Sequence, residues 1–134
     1  MTRMKLKEDE IVKCLLKFKN ENPWAGSVEE RKNKFLKLHN ELNIVFHKNV
    51  KLVFEISDKI SEWFLSKNSY YDAGVDTIVL MGRLSVITYL HEYGHSLNMR
   101  QEEAIMFSQD LFRKVFPEKW EKLNGDNFLV LKTR

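Results

Sequence analysis

Apolar side chains recur at Ile11, Val12, Leu15, Leu16 and Phe18, close to the 3.6-residue helical period, so the spacing predicts a helix over 7–20. "ENPWAG" then interrupts the pattern, because Pro23 disfavours helical backbone at Asn22 and Gly26 loosens the chain. Ser27 and Glu30 form a capping-box signature that starts a second helix, with Val28, Phe35, Leu38, His39 and Leu42 on its inward side. At Ile44–Phe46 the pattern becomes a short apolar run. From Val50 to Ile56 it has a period of two, with Leu52 and Phe54 alternating against Lys51, Val53 and Glu55, as in a strand.

"SDKISEWFLSKN" fits either a short helix through Ile60, Trp63 and Phe64 or a strand through Trp63–Leu65. "SYYDAGVDTIVLM" reads as a hairpin, two β-prone segments around a turn-forming "DAGVD", ending in strand 77–81. Ser85 is an N-cap for a helix running to about Leu97, and Asn98 is suited to the left-handed residue that ends it. A helix over about 101–116 follows, stopped by Pro117; Trp120 and Leu123 suggest a last turn, and "FLVLK" a short terminal strand. Helices, then strands, then helices make an α+β domain, with one domain expected over 1–134.

Composition changes this picture little. At 134 residues, 43% hydrophobic and 31% charged, the chain can bury a core without staples. No apolar run approaches the roughly 20 residues of a membrane span, and "MTRMKLKEDEIVKC" lacks the apolar stretch of a signal peptide. The lone Cys14, among Ile11, Val12, Leu15 and Leu16, excludes an internal disulfide and suits packing in a reducing, cytoplasmic setting. Net charge is +3, with 14 basic against 10 acidic residues in 1–67 and 8 against 9 in 68–134. Arg31, Lys32, Lys34 and Lys37 concentrate the excess, and a solvated helix face explains them better than nucleic-acid binding does.

The chemistry lies in "LHEYGH", residues 90–95. On a helix, with about 100° of rotation per residue, Val86, Ile87, Leu90, Tyr93, Gly94 and Leu97 share a core stripe. His91 and His95 stand one turn and roughly 40° apart, off the centre of that stripe. Both can reach a single metal ion, and Glu92 on the flank can reach a water on that ion. Two neutral imidazoles holding Zn²⁺, with water at an open position and a carboxylate to take its proton, are the parts of a zinc hydrolase. Zinc brings the pKa of such a water from about 15.7 towards 7. Glu92-x-x-His95 is also half of a di-iron bundle motif, but that scaffold needs a second copy and a four-helix bundle, and this chain has neither.

A third ligand is needed. Six residues past His95, where a metzincin places a third histidine, stands Gln101; His39 reads as a packed core histidine and His47 as an exposed turn residue. "RQEEAIMFSQDLF" offers carboxylates instead. The apolar stripe of that helix runs through Ala104, Phe107, Leu111 and Val115, widened by Ile105 and Phe112. Glu103 lies nearer to it than Glu102 does, and a carboxylate near an apolar face is relieved by a cation. Glu103 is therefore the expected third ligand and Glu102 its alternative, set against two solvated residues in a helix's first turn.

"HEYGH" followed by "EEAIMFSQDLF" resembles the ImmA/IrrE-type metallopeptidases, whose HE-x-GH helix precedes a glutamate-alanine-x-x-phenylalanine-alanine helix bearing the third ligand. "YYDAGVDTIVLMGRLSVITYLHEYGH" looks like the strand–helix core of minimal, gluzincin-type zincins. The resemblance covers residues 70–116 and implies zinc at His91, His95 and Glu103, Glu92 as general base, and a small, mostly antiparallel sheet. It departs from gluzincins in the short gap from His95 to Glu103 and in the Phe107 that stands four after Glu103, where many of them have an aspartate. No helix-turn-helix accompanies the motif, so control of transcription is not implied.

The expected function is zinc-dependent hydrolysis of a polypeptide substrate. The zincin resemblance implies that strand 77–81 borders the cleft and offers its free edge to an extended peptide. Tyr70, Tyr71 and Tyr89 are candidate oxyanion donors, Tyr71 first among them. A zinc-stabilised binding module without turnover and a small basic nucleic-acid-binding protein are the rival readings.

Overall fold

The computed structural model describes residues 3–56, 69–82 and 84–126. The chain runs through α1 (Arg3–Asn20), α2 (Val28–Phe46), β1 (Lys51–Ile56), β2 (Tyr70–Asp72), β3 (Thr77–Gly82), α3 (Val86–Ser96), α4 (Gln101–Val115) and α5 (Pro117–Asp126). This is an α+β arrangement, with five helices and three strands among the described residues. The alternatives for 57–68 and the terminal strand expected at "FLVLK" lie outside them.

Local chemistry sets the boundaries. Ser27 Oγ accepts the Glu30 N–H at 3.1 Å while Glu30 Oε1 accepts the Ser27 N–H at 2.8 Å, so the capping box forms in full. α2 then runs further than the pattern suggests. Ile44–Phe46 is helical rather than a strand-like run, and His47 ends the helix in the left-handed region at φ 56°. Ile44 is 73% exposed, so that run lacks the burial that gives an apolar triplet strand character. Phe35, Leu38, His39 and Leu42, at the i, i+3, i+4, i+7 positions, are all buried.

The sheet has the order β1-β3-β2. β2 and β3 form the expected antiparallel hairpin, pairing Tyr70 with Val79, Tyr71 with Ile78 and Asp72 with Thr77. β1 runs parallel to β3, from Lys51 beside Thr77 to Ile56 beside Gly82. The sheet is therefore mixed, not mostly antiparallel, and β3 is its centre. Central placement explains why Thr77, Ile78, Val79 and Leu80 are all buried, while β1 alternates exposed with half-buried positions. It also removes the free edge expected at 77–81.

α3 lies against β3 and β2 on one side and packs on α4 on the other. It is buried on almost every face, Tyr89 and Tyr93 as deeply as Leu90. Gly94 is where α4 crosses it: a Cβ there would stand 3.1 Å from Met99 Sδ and 3.2 Å from Phe107 Cδ2. The apolar core joins α1, α2, β3, α3 and α4 through Ile11, Leu15, Phe35, Leu80, Leu90 and Leu111. Cys14 is half-buried against this core, and burial raises its thiol pKa.

Two basic residues of α2 fasten the preceding connection, while Lys37 stays on the solvated face. Arg31 donates to the Pro23 and Leu84 carbonyls at 2.9 and 3.2 Å, and Lys34 to the Asn22 and Ala25 carbonyls at 3.0 Å. Lys37 pairs with Glu21 at 2.6 Å and Lys32 with Glu29 at 3.3 Å.

His39 is the buried polar centre of the core, 3% exposed. Its Nε2 lies 2.7 Å from the Val50 carbonyl, which can only accept, so Nε2 carries the proton and Nδ1 accepts from the Tyr89 hydroxyl at 2.7 Å. Burial lowers the His39 pKa below its ordinary value of 6.5. The unfolded chain therefore binds the extra proton first, and folding stability falls as the pH drops below about 6.5, by at most about 1.4 kcal/mol per pH unit. Urea midpoints of wild type and His39→Gln between pH 7.5 and 5 should converge as the solution is acidified. Parallel loss in the two proteins would remove His39 from the acid response.

Candidate active site

The site is built where α3 ends. Ser85 caps the start of α3 by accepting the Thr88 N–H at 3.2 Å, which sets the phase of the helix. At its end, Met99 N–H bonds to the Gly94 carbonyl at 3.1 Å and Asn98 N–H to the His95 carbonyl at 2.9 Å. These two bonds, with Asn98 at φ 71°, make a Schellman turn. The expectation for Asn98 is met. This turn reverses the chain within four residues, so the first residue of α4 returns to the last turn of α3.

Both histidines present Nε2 to the same point. Their rings stand 4.7 Å apart at 84°, with Nε2 atoms 3.1 Å from each other. The His95 Nδ1 lies 2.9 Å from the Met99 carbonyl, which accepts from the ring when Nδ1 carries the proton and then leaves the Nε2 lone pair facing His91. An imidazole anchored in this way by a backbone carbonyl is oriented as a metal-ligating histidine is.

Gln101, not a carboxylate, joins them. Its Oε1 lies 3.0 Å from the Nε2 of His91 and 3.0 Å from the Nε2 of His95. Glu103 is exposed, and its Oε1 accepts the Arg100 N–H at 2.8 Å, closing the start of α4. Helix geometry separates the two: residues 101 and 103 point roughly 200° apart, so a helix that aims Gln101 at the pair aims Glu103 away. Glu102 is exposed in the same turn. No group of three His, Cys, Asp or Glu residues gathers around a metal-sized space among the described residues.

A cleft of about 700 Å³ opens at this point. Ser69, Tyr70, Tyr71 and Ala73 line its strand side; His91, Glu92 and His95 line its helix side; Asn98, Met99 and Gln101 close one end. Glu92 is only 5% exposed and His91 7%, so the motif is the wall of a cleft and not an open helix face. β2 borders this cleft, and among the described residues its only partner strand is β3. Among the described residues, the edge expected of strand 77–81 is therefore Tyr70–Asp72.

Two of the three tyrosines have their hydroxyls committed elsewhere. Tyr71 donates to the Asp76 carboxylate, and burial together with that bond pushes its pKa up to about 12. Tyr89 is fully buried against His39. Tyr70 is 47% exposed at the cleft. The sequence signal that could have found Gln101 was its position, six residues beyond His95; an uncharged amide in a polar stretch carries no other mark.

The donor set fits a borderline divalent metal. Imidazole nitrogen suits zinc and its neighbours, and the two Nε2 atoms converge as a shared ion requires. Compared with protein-family models, with curated proteins and with solved structures, the chain matches none.

Proposed function

We propose that this chain is a zinc-dependent peptide hydrolase with His91 and His95 as metal ligands and Glu92 as general base. The observation that carries it is the meeting of two Nε2 atoms 3.1 Å apart with a buried carboxylate in one cleft that β2 also lines. Bound zinc supplies Lewis acidity, polarising a carbonyl and acidifying water at neutral pH.

The chain's own residues do the rest. The Met99 carbonyl holds the His95 ring in place. Glu92 takes a proton from the water that attacks the peptide carbon, and returns it to the nitrogen as the C–N bond breaks. Low exposure of Glu92 keeps its carboxylate from bulk solvent, so the proton stays with the reacting groups. An extended substrate pairs with the edge of β2, which makes recognition depend on backbone more than on side chains.

Removal of metal tests this reading. The full chain should cleave an unfolded protein or peptide library, stop after dialysis against a chelator, and recover on stoichiometric zinc. Cleavage that survives chelation would overturn the proposal.

A further inference from the structure

We propose that Gln101 is the third protein ligand of this metal site, its amide oxygen completing a His91–His95–Gln101 set. The inference deepens the reading above and rests on it. Three atoms, His91 Nε2, His95 Nε2 and Gln101 Oε1, form a nearly equilateral triangle with sides of 3.1, 3.0 and 3.0 Å. Ligands about 2.0–2.1 Å from a tetrahedral zinc stand roughly 3.3 Å apart, so this triangle is close to one face of such a shell.

The proton inventory of His95 points the same way. Its ring lies between two oxygens, the Met99 carbonyl at 2.9 Å from Nδ1 and Gln101 Oε1 at 3.0 Å from Nε2. A carbonyl and an amide oxygen only accept, and a neutral imidazole has one proton to donate. Either tautomer therefore leaves one nitrogen lone pair facing an oxygen lone pair. A cation held jointly by His95 Nε2 and Gln101 Oε1 removes that conflict, and His91 Nε2 lies within 3.1 Å of both atoms. Three atoms that can each ligate a metal meet at one point, as a metal site requires.

The turn between the helices is what brings the amide in. Asn98 in the left-handed region and the Met99-to-Gly94 bond fold the chain back at once, and the phase of α4 then presents residue 101 rather than 103. A neutral third ligand leaves the site one negative charge short of a His–His–Glu set. The ion keeps more of its charge and is held less tightly than a carboxylate would hold it.

Zinc affinity of the full chain, measured by competition with a chromophoric chelator, and the visible spectrum of bound Co²⁺ test this without reference to activity. Gln101→Ala should weaken zinc by about 10- to 100-fold, at least the scale on which outer partners of metal ligands act, and should change the Co²⁺ bands. Glu103→Ala and Glu102→Ala should keep wild-type affinity and spectrum, and Gln101→His should bind at least as tightly as wild type. Melting of each protein in chelator separates a lost ligand from a lost fold. If Gln101→Ala binds as wild type does while Glu103→Ala or Glu102→Ala weakens, Gln101 is not the ligand and the histidine site stands. If wild type and His91→Ala alike fail to bind zinc, the hydrolase reading itself fails.

Discussion

Glu92→Gln should lower peptide hydrolysis by about 10²- to 10⁴-fold while zinc remains bound at full stoichiometry. The substitution keeps the size of a side chain that is 5% exposed, so the cleft wall and the α3 packing are preserved. What it removes is the ability to accept a proton. An amide in that position cannot take the proton of the attacking water or return one to the leaving nitrogen. Cleavage rates should therefore fall at every pH tested, with little change in the substrate concentration for half-saturation, because the contacts along the β2 edge are untouched. Wild-type turnover in Glu92→Gln would assign the base to another group.

The largest stability effect is expected beneath the site. Phe35 is fully buried on α2. Its ring meets Phe18 edge-on at 5.2 Å and Tyr89 at 6.0 Å, so it joins α1 to the helix that carries the histidines. Phe35→Ala removes those contacts and leaves a cavity that neither helix can close, and should cost about 3–5 kcal/mol. Domains of this kind hold only about 5–15 kcal/mol in total. Urea unfolding should show a much lower midpoint with an unchanged slope. A loss below about 1 kcal/mol would mean that α1 and α2 do not pack on α3 as described.

Both expectations depend on how local sequence and tertiary contacts divide the work. Local chemistry was readable in the sequence: the capping box at Ser27, the cap at Ser85, the left-handed Asn98 and the hairpin around 73–76 all form. Each involves groups within a few residues of one another, so the local sequence is enough to place it. Burial of His39 was readable too, because it shares a helical stripe with Phe35, Leu38 and Leu42.

Elsewhere the pattern was ambiguous or misleading for identifiable reasons. Ile44–Phe46 is apolar but belongs to α2, since helix continuation and the His47 cap decide the end of an element more than a three-residue run does. Whether β1 runs parallel or antiparallel to β3 depends on pairing between strands more than 20 residues apart, which no local period encodes. β3 is consequently central, and among the described residues the edge strand beside the cleft is β2.

The amino-acid sequence by itself determined the histidine pair: His91 and His95, one helical turn apart, share a face wherever the helix lies. It determined equally that Glu92 adjoins them. Only the tertiary structure decided what stands opposite. Glu103, chosen by its nearness to an apolar stripe, caps its own helix, and Gln101 faces the imidazoles. A helical wheel gives the relative directions of residues 101 and 103 but not the rotation of α4 about its axis. That rotation is set by the turn at Leu97–Arg100 and by packing of Ala104 and Phe107 onto Gly94, contacts between helices that no single-helix pattern contains.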